Sequence, residues 1–555
     1  MNVQSTPRWD RETTLVSQLA AAASLFSFLF YFRHSDLLLY GDAVAHINIA
    51  RRVIDSRTPE LLQLGTVWLP LPHLLMVPFL LSDTAWQTGI AGAIPSMCAY
   101  VFGTAGIFRL VRGALRSQAQ PDFAGRTMAW FAAAVYAANP NLLYMQTTAM
   151  TEVLYLALFI WAVVHLSEFA RSATARDVAK QQQASLANQD DSPASLTKCG
   201  WCLAGACLTR YDGWFLAMAL GVAATWIVIA SRQKILRRSL VKFLVLAVAA
   251  PVLWLGYNTI IYRNPLEFAN GPYSARAIEQ QKTALSKTAP HPGWHNLRVS
   301  FTYFLKAAEG NVALGNLQKI WLLVAAIGAI LAMNKRRWPL LVLILPVAFY
   351  TLSLAFGSVP IYLPDWWPFS YYNVRFGLEL LPAYAVMLAL MVHAFFIRAP
   401  KRSFKAALVL GGVIFVAASY GFVWKAQPIC YHEAWVNSRT RIAFEAALAS
   451  TLLKLPHDSD LLMYLGDHVG ALQDAGIPLR RTINEGNYRP WKRPSDSEGL
   501  WERALADPQK YVDYVIAIDD DPVATEVYRR DLASMVVVET TGQPVATIYW
   551  THRNR

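Results

Sequence analysis

The sequence predicts an α-helical polytopic membrane protein of about 11 transmembrane helices that ends in a small soluble α/β domain. Three observations predict it. First, 555 residues that are 55% hydrophobic and only 16% charged are too apolar for an ordinary soluble chain of this length. Second, the apolar runs are about 20 residues long, and in a bilayer backbone amides find partners only within helices or closed barrels, so runs of this length are helices. Third, Lys and Arg cluster in short loops between alternate runs, as they do on the cytoplasmic side of a membrane.

The apolar spans lie near 15–32, 87–108, 127–138, 152–170, 199–209, 213–230, 240–261, 318–333, 338–356, 376–397 and 405–425. The third and fifth are short. The stretch Thr66–Leu81 is apolar but carries Pro70, Pro72 and Pro78, and it reads as a segment lying at the interface. Residues 171–198 are polar and rich in Gln and Ala, and read as a mobile loop without a core.

Four basic loops set the orientation: Arg112, Arg116 and Arg126; Arg232, Lys234, Arg237 and Arg238; Lys335, Arg336 and Arg337; and Arg398, Lys401, Arg402 and Lys405. All four fall on one side if the N-terminus is cytoplasmic, as in a bacterial inner (plasma) membrane. The first span has no small-residue cleavage site after it and reads as a retained anchor. The opposite face then holds 33–86, 139–151, 210–212, 262–317, 357–375 and everything after Lys425. This divides the chain into a transmembrane domain, 1–425, with external loops 33–86 and 262–317, and an external soluble domain, 426–555. Because topology accounts for the basic residues, the net charge of +13 does not call for a nucleic-acid partner. The five cysteines form no disulfide framework, and Cys199 and Cys202, despite their redox-motif spacing, read as helix packing.

Past the last span, an amphipathic helix near 433–454 precedes short apolar runs at Leu461–Leu465, Tyr514–Ile518 and Met535–Glu539. Strands alternating with helical stretches predict a small α/β fold. The turn Gly466-Asp467-His468 follows the first strand, where such folds bind ligands, and also suits a helix cap.

Chemistry is sought where polar residues stand at a cost. In the first external loop, GDAVAHINIARR predicts a short interfacial helix on which Asp42 and His46, at i and i+4, share a face. A carboxylate beside an imidazole suits removing a proton or fixing a hydroxyl or metal, while Asp42 after Gly41 also suits a helix cap. Thr151-Glu152 opens the fourth span, again as a site or a cap. Arg210, in Thr209-Arg210-Tyr211-Asp212-Gly213-Trp214, and Arg375, in Tyr371-Tyr372-Asn373-Val374-Arg375-Phe376, lie at the mouths of spans, where an arginine meets an anion or reaches the interface.

Together these positions resemble the GT-C superfamily of membrane glycosyltransferases, which includes the protein O-mannosyltransferases, the lipid A aminoarabinose transferases and the oligosaccharyltransferases. Asp42 in the Gly41-Asp42-Ala43 element resembles that family's acidic residue in the first external loop, and Glu152 the second acidic site. Asn373-Val374-Arg375-Phe376 followed by Leu380-Leu381-Pro382 resembles the late Arg-aromatic and Leu-Pro pattern. The resemblance covers roughly residues 10–425. The chain lacks the paired Asp-Glu of O-mannosyltransferases and the WWDYG-type signature of oligosaccharyltransferases; Asp365-Trp366-Trp367 stands in a different context.

The resemblance implies inverting transfer of a sugar from a polyprenyl-phosphate donor to an acceptor hydroxyl on a lipid, glycan or protein at the outer face. Asp42 would be general base, Arg375 and Arg210 would hold the phosphate, and His46 and Glu152 would position hydroxyls. Tyr372, with Trp366, Trp367 and Tyr371, would stack on sugars or belong to an interfacial aromatic belt. No cofactor is implied, although a lipid diphosphate donor would bring a divalent metal. Two other readings stay open: a transporter or flippase of lipid-linked sugars, with charges lining a path near the midplane, and a glycan ligase or polymerase that does not depend on Asp42.

Overall fold

The structure, a computed structural model, describes residues 9–552 apart from 117–122, 182–190, 232, 273, 278, 281–290, 335, 358, 488–498 and 528–531. Its first part runs α1 (Arg11–Arg33), α2 (Gly41–Arg52), α3 (Pro70–Met76), α4 (Asp83–Gln87), α5 (Ile90–Leu115), α6 (Phe123–Ala137), α7 (Pro140–Met145), α8 (Glu152–Gln181) and α9 (Asp191–Cys207). There follow α10 (Asp212–Ser231), α11 (Lys234–Tyr262), α12 (Glu267–Asn270), α13 (Leu297–Gly310), α14 (Asn316–Ala332), α15 (Leu345–Phe356), α16 (Leu381–Arg398), α17 (Arg402–Lys425) and α18 (Ile429–Leu452). Helices α15 and α16 continue from 3-10 turns at Trp338–Ile344 and Val374–Leu380.

The protein is a polytopic membrane protein, and each of the eleven apolar spans read from the sequence is helical over most of its length. Among the described residues, eight helical runs are long and apolar enough to cross a membrane. The other three stretches form α6, α9 and α14, of 15, 17 and 17 residues. At 1.5 Å per residue these reach only about 22–26 Å, short of a hydrocarbon core of about 30 Å.

Burial separates the centre of the bundle from its lipid-facing wall. In α8 and in the run Val374–Arg398, 83% of the apolar stretch is buried, against 28% in α1 and α11. The outer helices carry bare Val241, Val245, Val252, Leu253 and Ile260, side chains that lipid would cover.

The stretch 171–198, read as a loop, is helical on both sides: α8 runs on to Gln181 and α9 begins at Asp191. Ala, Arg, Lys and Gln are strong helix formers, so these helices need no apolar core to continue past the membrane. Residues 182–190 lie outside the described residues.

Beyond α18 comes a five-stranded sheet of order β2-β1-β3-β5-β4, with β1 Leu461–Met463, β2 Thr482–Ile483, β3 Tyr514–Ile518, β4 Ser534–Val538 and β5 Ala546–Trp550. β1 pairs in parallel with β2 and β3, while β5 is antiparallel to β3 and β4. The cap of the helix Gly470–Ala475 is Val469, so the Gly466-Asp467-His468 turn does not cap it; His468 instead packs on Phe444 of α18.

Candidate functional site

Two arginines organise a cavity of about 1190 Å³ at the ends of the helices opposite the basic loops. Arg375 sits in the turn Val374–Leu380, which lies directly on α13: a Cβ at Gly377 would fall 2.3 Å from the Ala307 carbonyl carbon. The preceding Asn373 takes a left-handed φ of 56°, which Asn tolerates, and its backbone N–H donates to Glu433 Oε1 at 2.7 Å. Thus placed, Arg375 uses its whole fork, with Nη2 donating to Asp42 Oδ2 at 2.7 Å, Nε to Glu152 Oε1 at 3.0 Å and Nη1 to Glu433 Oε1 at 3.1 Å.

Arg210 lies in the tight turn between α9 and α10, where a Cβ on Gly213 would sit 2.5 Å from the Ala206 backbone. Its Nη1 donates to Glu152 Oε1 at 3.0 Å and to Thr151 Oγ1 at 3.1 Å. Its Nε lies 3.2 Å from Asp212 and 3.4 Å from Glu379, and Nη2 donates to the Tyr350 hydroxyl. That hydroxyl lies 2.7 Å from Glu379 and 3.1 Å from Asp212, and its single proton can serve only one of them at a time. Both guanidiniums also cover the Phe376 ring. Two cations therefore face five carboxylates, and Glu152 bridges the two.

The five differ in access. Glu152, Glu379 and Glu433 have 1% of their side chains exposed and Asp212 4%, whereas Asp42 keeps 45% exposed. Asp42 is not a helix cap: the N-cap of α2 is Tyr40, and the Asp42 carboxylate turns to Arg375. One turn later His46 also lines the cavity, its ring 4.5 Å from Trp68 and its Nδ1 2.9 Å from His73 Nε2.

The far end of α2 is held by the sheet-bearing domain. Asn48, Trp86 and Gln473 close a triangle: Asn48 donates to Gln473 Oε1 (2.6 Å), Gln473 to the Trp86 carbonyl (2.7 Å) and the Trp86 indole to Asn48 Oδ1 (2.9 Å). Asp55 accepts from Arg51 and from the backbone and side chain of Arg480.

The structure thus brings Asp42, His46, Glu152, Arg210 and Arg375 to one cavity. It leaves Tyr372 outside the cavity wall, where its ring packs on Tyr362. Trp366 packs edge-on against Tyr303, and Trp367 is half exposed. Sequence reasoning missed Glu379, Glu433, Tyr350 and His73. It also missed Arg276, an exposed cavity residue of the 262–317 loop that makes no ion pair among the described residues. Nor do the described residues contain a cluster of three or more His, Cys, Asp or Glu arranged to hold a metal, the buried carboxylates being matched to arginines.

The bundle, with its Arg-carboxylate floor and its small α/β domain, has the fold of polytopic membrane proteins of known structure. No protein-family model and no curated protein matches the sequence. Among solved structures, the chain is similar to ArnT from Cupriavidus metallidurans bound to undecaprenyl phosphate, with 14% identity and a TM-score of 0.54 over 96% of this chain and 97% of that one. It is similar to the same protein in the apo state, at 14% identity and 0.52 over 95% and 98%. The Archaeoglobus fulgidus oligosaccharyltransferase in complex with Zn and sulfate also matches, at 12% identity and 0.46 over 91% and 68%.

Proposed function

We propose that this chain transfers a sugar from a polyprenyl-phosphate donor to an acceptor hydroxyl, with Asp42 as general base. The observation that carries the reading is the contrast among the five carboxylates, since Asp42 alone offers substantial exposed surface to the cavity while Arg375 fixes its orientation. The acceptor oxygen attacks the anomeric carbon, the bond from that carbon to the phosphate oxygen breaks with its electron pair leaving on the phosphate, and the acceptor proton passes to Asp42. Attack opposite the leaving group inverts the anomeric centre. A cavity of about 1190 Å³ is roomy for a sugar and a headgroup.

The donor phosphate needs a cation that is not already neutralised. Arg210 and Arg375 each face two or more carboxylates, so they contribute a fixed field from the floor, and Arg276 is the cation available for direct contact. Undecaprenyl phosphate bound to the ArnT structure, on the same fold, supports a lipid-phosphate donor. The reading takes a monophosphate donor without a metal; a diphosphate donor would bring a divalent ion. His46 and Glu152 remain candidates for orienting hydroxyls and the Arg pair, and Tyr372 for a sugar contact at the rim. The acceptor belongs to a lipid, glycan or protein, the cavity faces outward, and the membrane is a bacterial inner membrane.

The test is transfer by the purified chain from a panel of polyprenyl monophosphate sugars, with the anomeric configuration of the product determined. Inverted product, formed equally with and without EDTA, is the expected result. Retention would overturn the base role of Asp42, loss in EDTA would overturn the metal-free donor, and no transfer from any donor would overturn the transferase reading.

A further inference from the structure

Asp42 is the second residue of α2, so its place depends on the chain that leads into that helix. Residues 34–40 lie in no helix or strand, and no side chain caps α2: its N-cap, Tyr40, offers a backbone carbonyl, which accepts from Ala43 and Val44. Backbone outside regular structure needs partners from elsewhere to hold one position. Here they come from α18, 402 and 403 residues further along the chain.

Arg441 of α18 turns Nη2 onto this segment and donates to the Leu38 carbonyl at 2.8 Å and to the Leu39 carbonyl at 3.0 Å. Its Nη1 donates to Glu445 Oε2, one turn on, at 2.6 Å. Both side chains are largely enclosed, 14% and 8% exposed. Glu445 in turn lies against Gly470 of the α/β domain, where a Cβ would fall 2.3 Å from Oε2, so the pair has little room to shift. In the first turn of α18 the Cys430 carbonyl accepts from the Tyr40 hydroxyl at 2.8 Å, and the Tyr40 ring lies 5.1 Å from the Arg375 guanidinium. One helix therefore brackets the backbone from Leu38 to Tyr40, immediately before Asp42. Arg441 does not line the cavity, so any effect it has on chemistry there passes through what it holds.

We propose that Arg441 is a positioning residue for the transfer reaction: it ties the Leu38 and Leu39 carbonyls to α18 and so keeps the Asp42 carboxylate within reach of the acceptor oxygen, with Glu445 fixing its guanidinium. Arg375 orients that carboxylate from the cavity side, and Arg441 fixes the backbone from which it projects. A charged donor on two neutral carbonyls makes a stronger tie than neutral groups would. General-base chemistry works only at near-contact distances, and a shift of about 1 Å at the start of α2 costs about 100-fold in rate. The proposal rests on the glycosyl-transfer reading for its consequence but not for the clamp, which is a property of the unliganded protein.

The experiment has two arms on the full chain in detergent, at equal amounts of folded protein. In the transfer assay, Arg441→Met, which keeps an apolar stem and removes the donors, is expected to lower kcat roughly 10- to 100-fold with KM within about 3-fold. Arg441→Lys, whose ammonium still donates to a carbonyl, recovers part of the loss. In an Asp42→Asn background the same Arg441→Met change is expected to lower the residual transfer by less than about 3-fold, because two residues acting through one group are not additive. Wild-type kcat in Arg441→Met, or a loss of the same size with the Asp42 carboxylate already removed, overturns the positioning role. In the second arm, hydrogen exchange of the amides from 39 to 44 is expected to speed up about 10-fold in Arg441→Met while α8 keeps its protection. Unchanged exchange over 39–44, or loss of protection in α8 as well, overturns the clamp. If no donor is used by the wild type, the transferase reading fails and the exchange arm alone decides whether Arg441 holds this segment.

Discussion

Four of the five carboxylates around Arg210 and Arg375 are closed in beneath the cavity, whereas Asp42, at the rim, meets the same Arg375 guanidinium with nearly half its side chain exposed. The floor and the rim thus use one kind of ion pair for different ends. On the floor, removing a partner strands a buried charge, so those residues hold the structure together. At the rim the desolvation is partial, so the pair costs little to break and the carboxylate stays open to a substrate. The difference teaches that charge near a membrane site does not by itself mark chemistry; access does.

The sharpest way to break this contrast is at the floor. Arg375→Met leaves Glu433 and part of Glu152 without their cation and is expected to cost about 3–5 kcal/mol, seen as a lower unfolding temperature in detergent. Arg375→Lys recovers only part of this, because an ammonium cannot reproduce the planar fork that reaches three carboxylates. A variant as stable as the wild type would show that the floor is wet and loosely held.

Part of this site was legible in the chain. Glu152, Arg210 and Arg375 stood out because a charge at the mouth of an apolar run is costly, and Asp42 because it shares a helix face with His46 in the first external loop; all four meet in space. Glu433 did not, since it lies on α18 among the polar residues of an amphipathic pattern, and its partner Arg375 is 58 residues away. Glu379 was hidden inside a run read only for its apolarity. Arg276 sits in a polar loop where another charge is ordinary, and His73 lay in a proline-rich stretch read only for its interfacial character. The fold was plainer: spans of about 20 residues announce themselves, whereas β2, with two residues, carries no periodicity and β5 went unread near the chain's end.

A smaller effect sharpens the comparison from the side of the α/β domain. Gln473→Ala opens the triangle with Asn48 and Trp86, and losing those buried hydrogen bonds is expected to cost about 1–2 kcal/mol. It should also speed hydrogen exchange in α2 while leaving α8 protected. Equal protection of α2 in variant and wild type would mean that the domain does not hold the rim.

The smallest effect lies farthest from the cavity. Burial raises the Asp521 carboxyl, just after β3, to about 6, above its ordinary value of 3.8. Between those two values the folded domain binds more protons than the unfolded chain, so stability falls as pH rises from about 4 to about 6 and is flat above. Allowing for solvent screening, the change is about 1 kcal/mol. Asp521→Asn should flatten the pH dependence of unfolding in this window, and an unchanged slope would remove Asp521 as its source.

The central claim is that Asp42 serves chemistry and the floor serves structure, and Asp42→Asn tests it most directly. Sugar transfer from polyprenyl-phosphate donors and unfolding temperature should be measured on the same preparations of wild type and variant. The account predicts a fall in transfer of about 100-fold or more with a stability change under about 1 kcal/mol. Equal transfer by the two proteins, or a loss of activity that only follows a loss of folded protein, would contradict it.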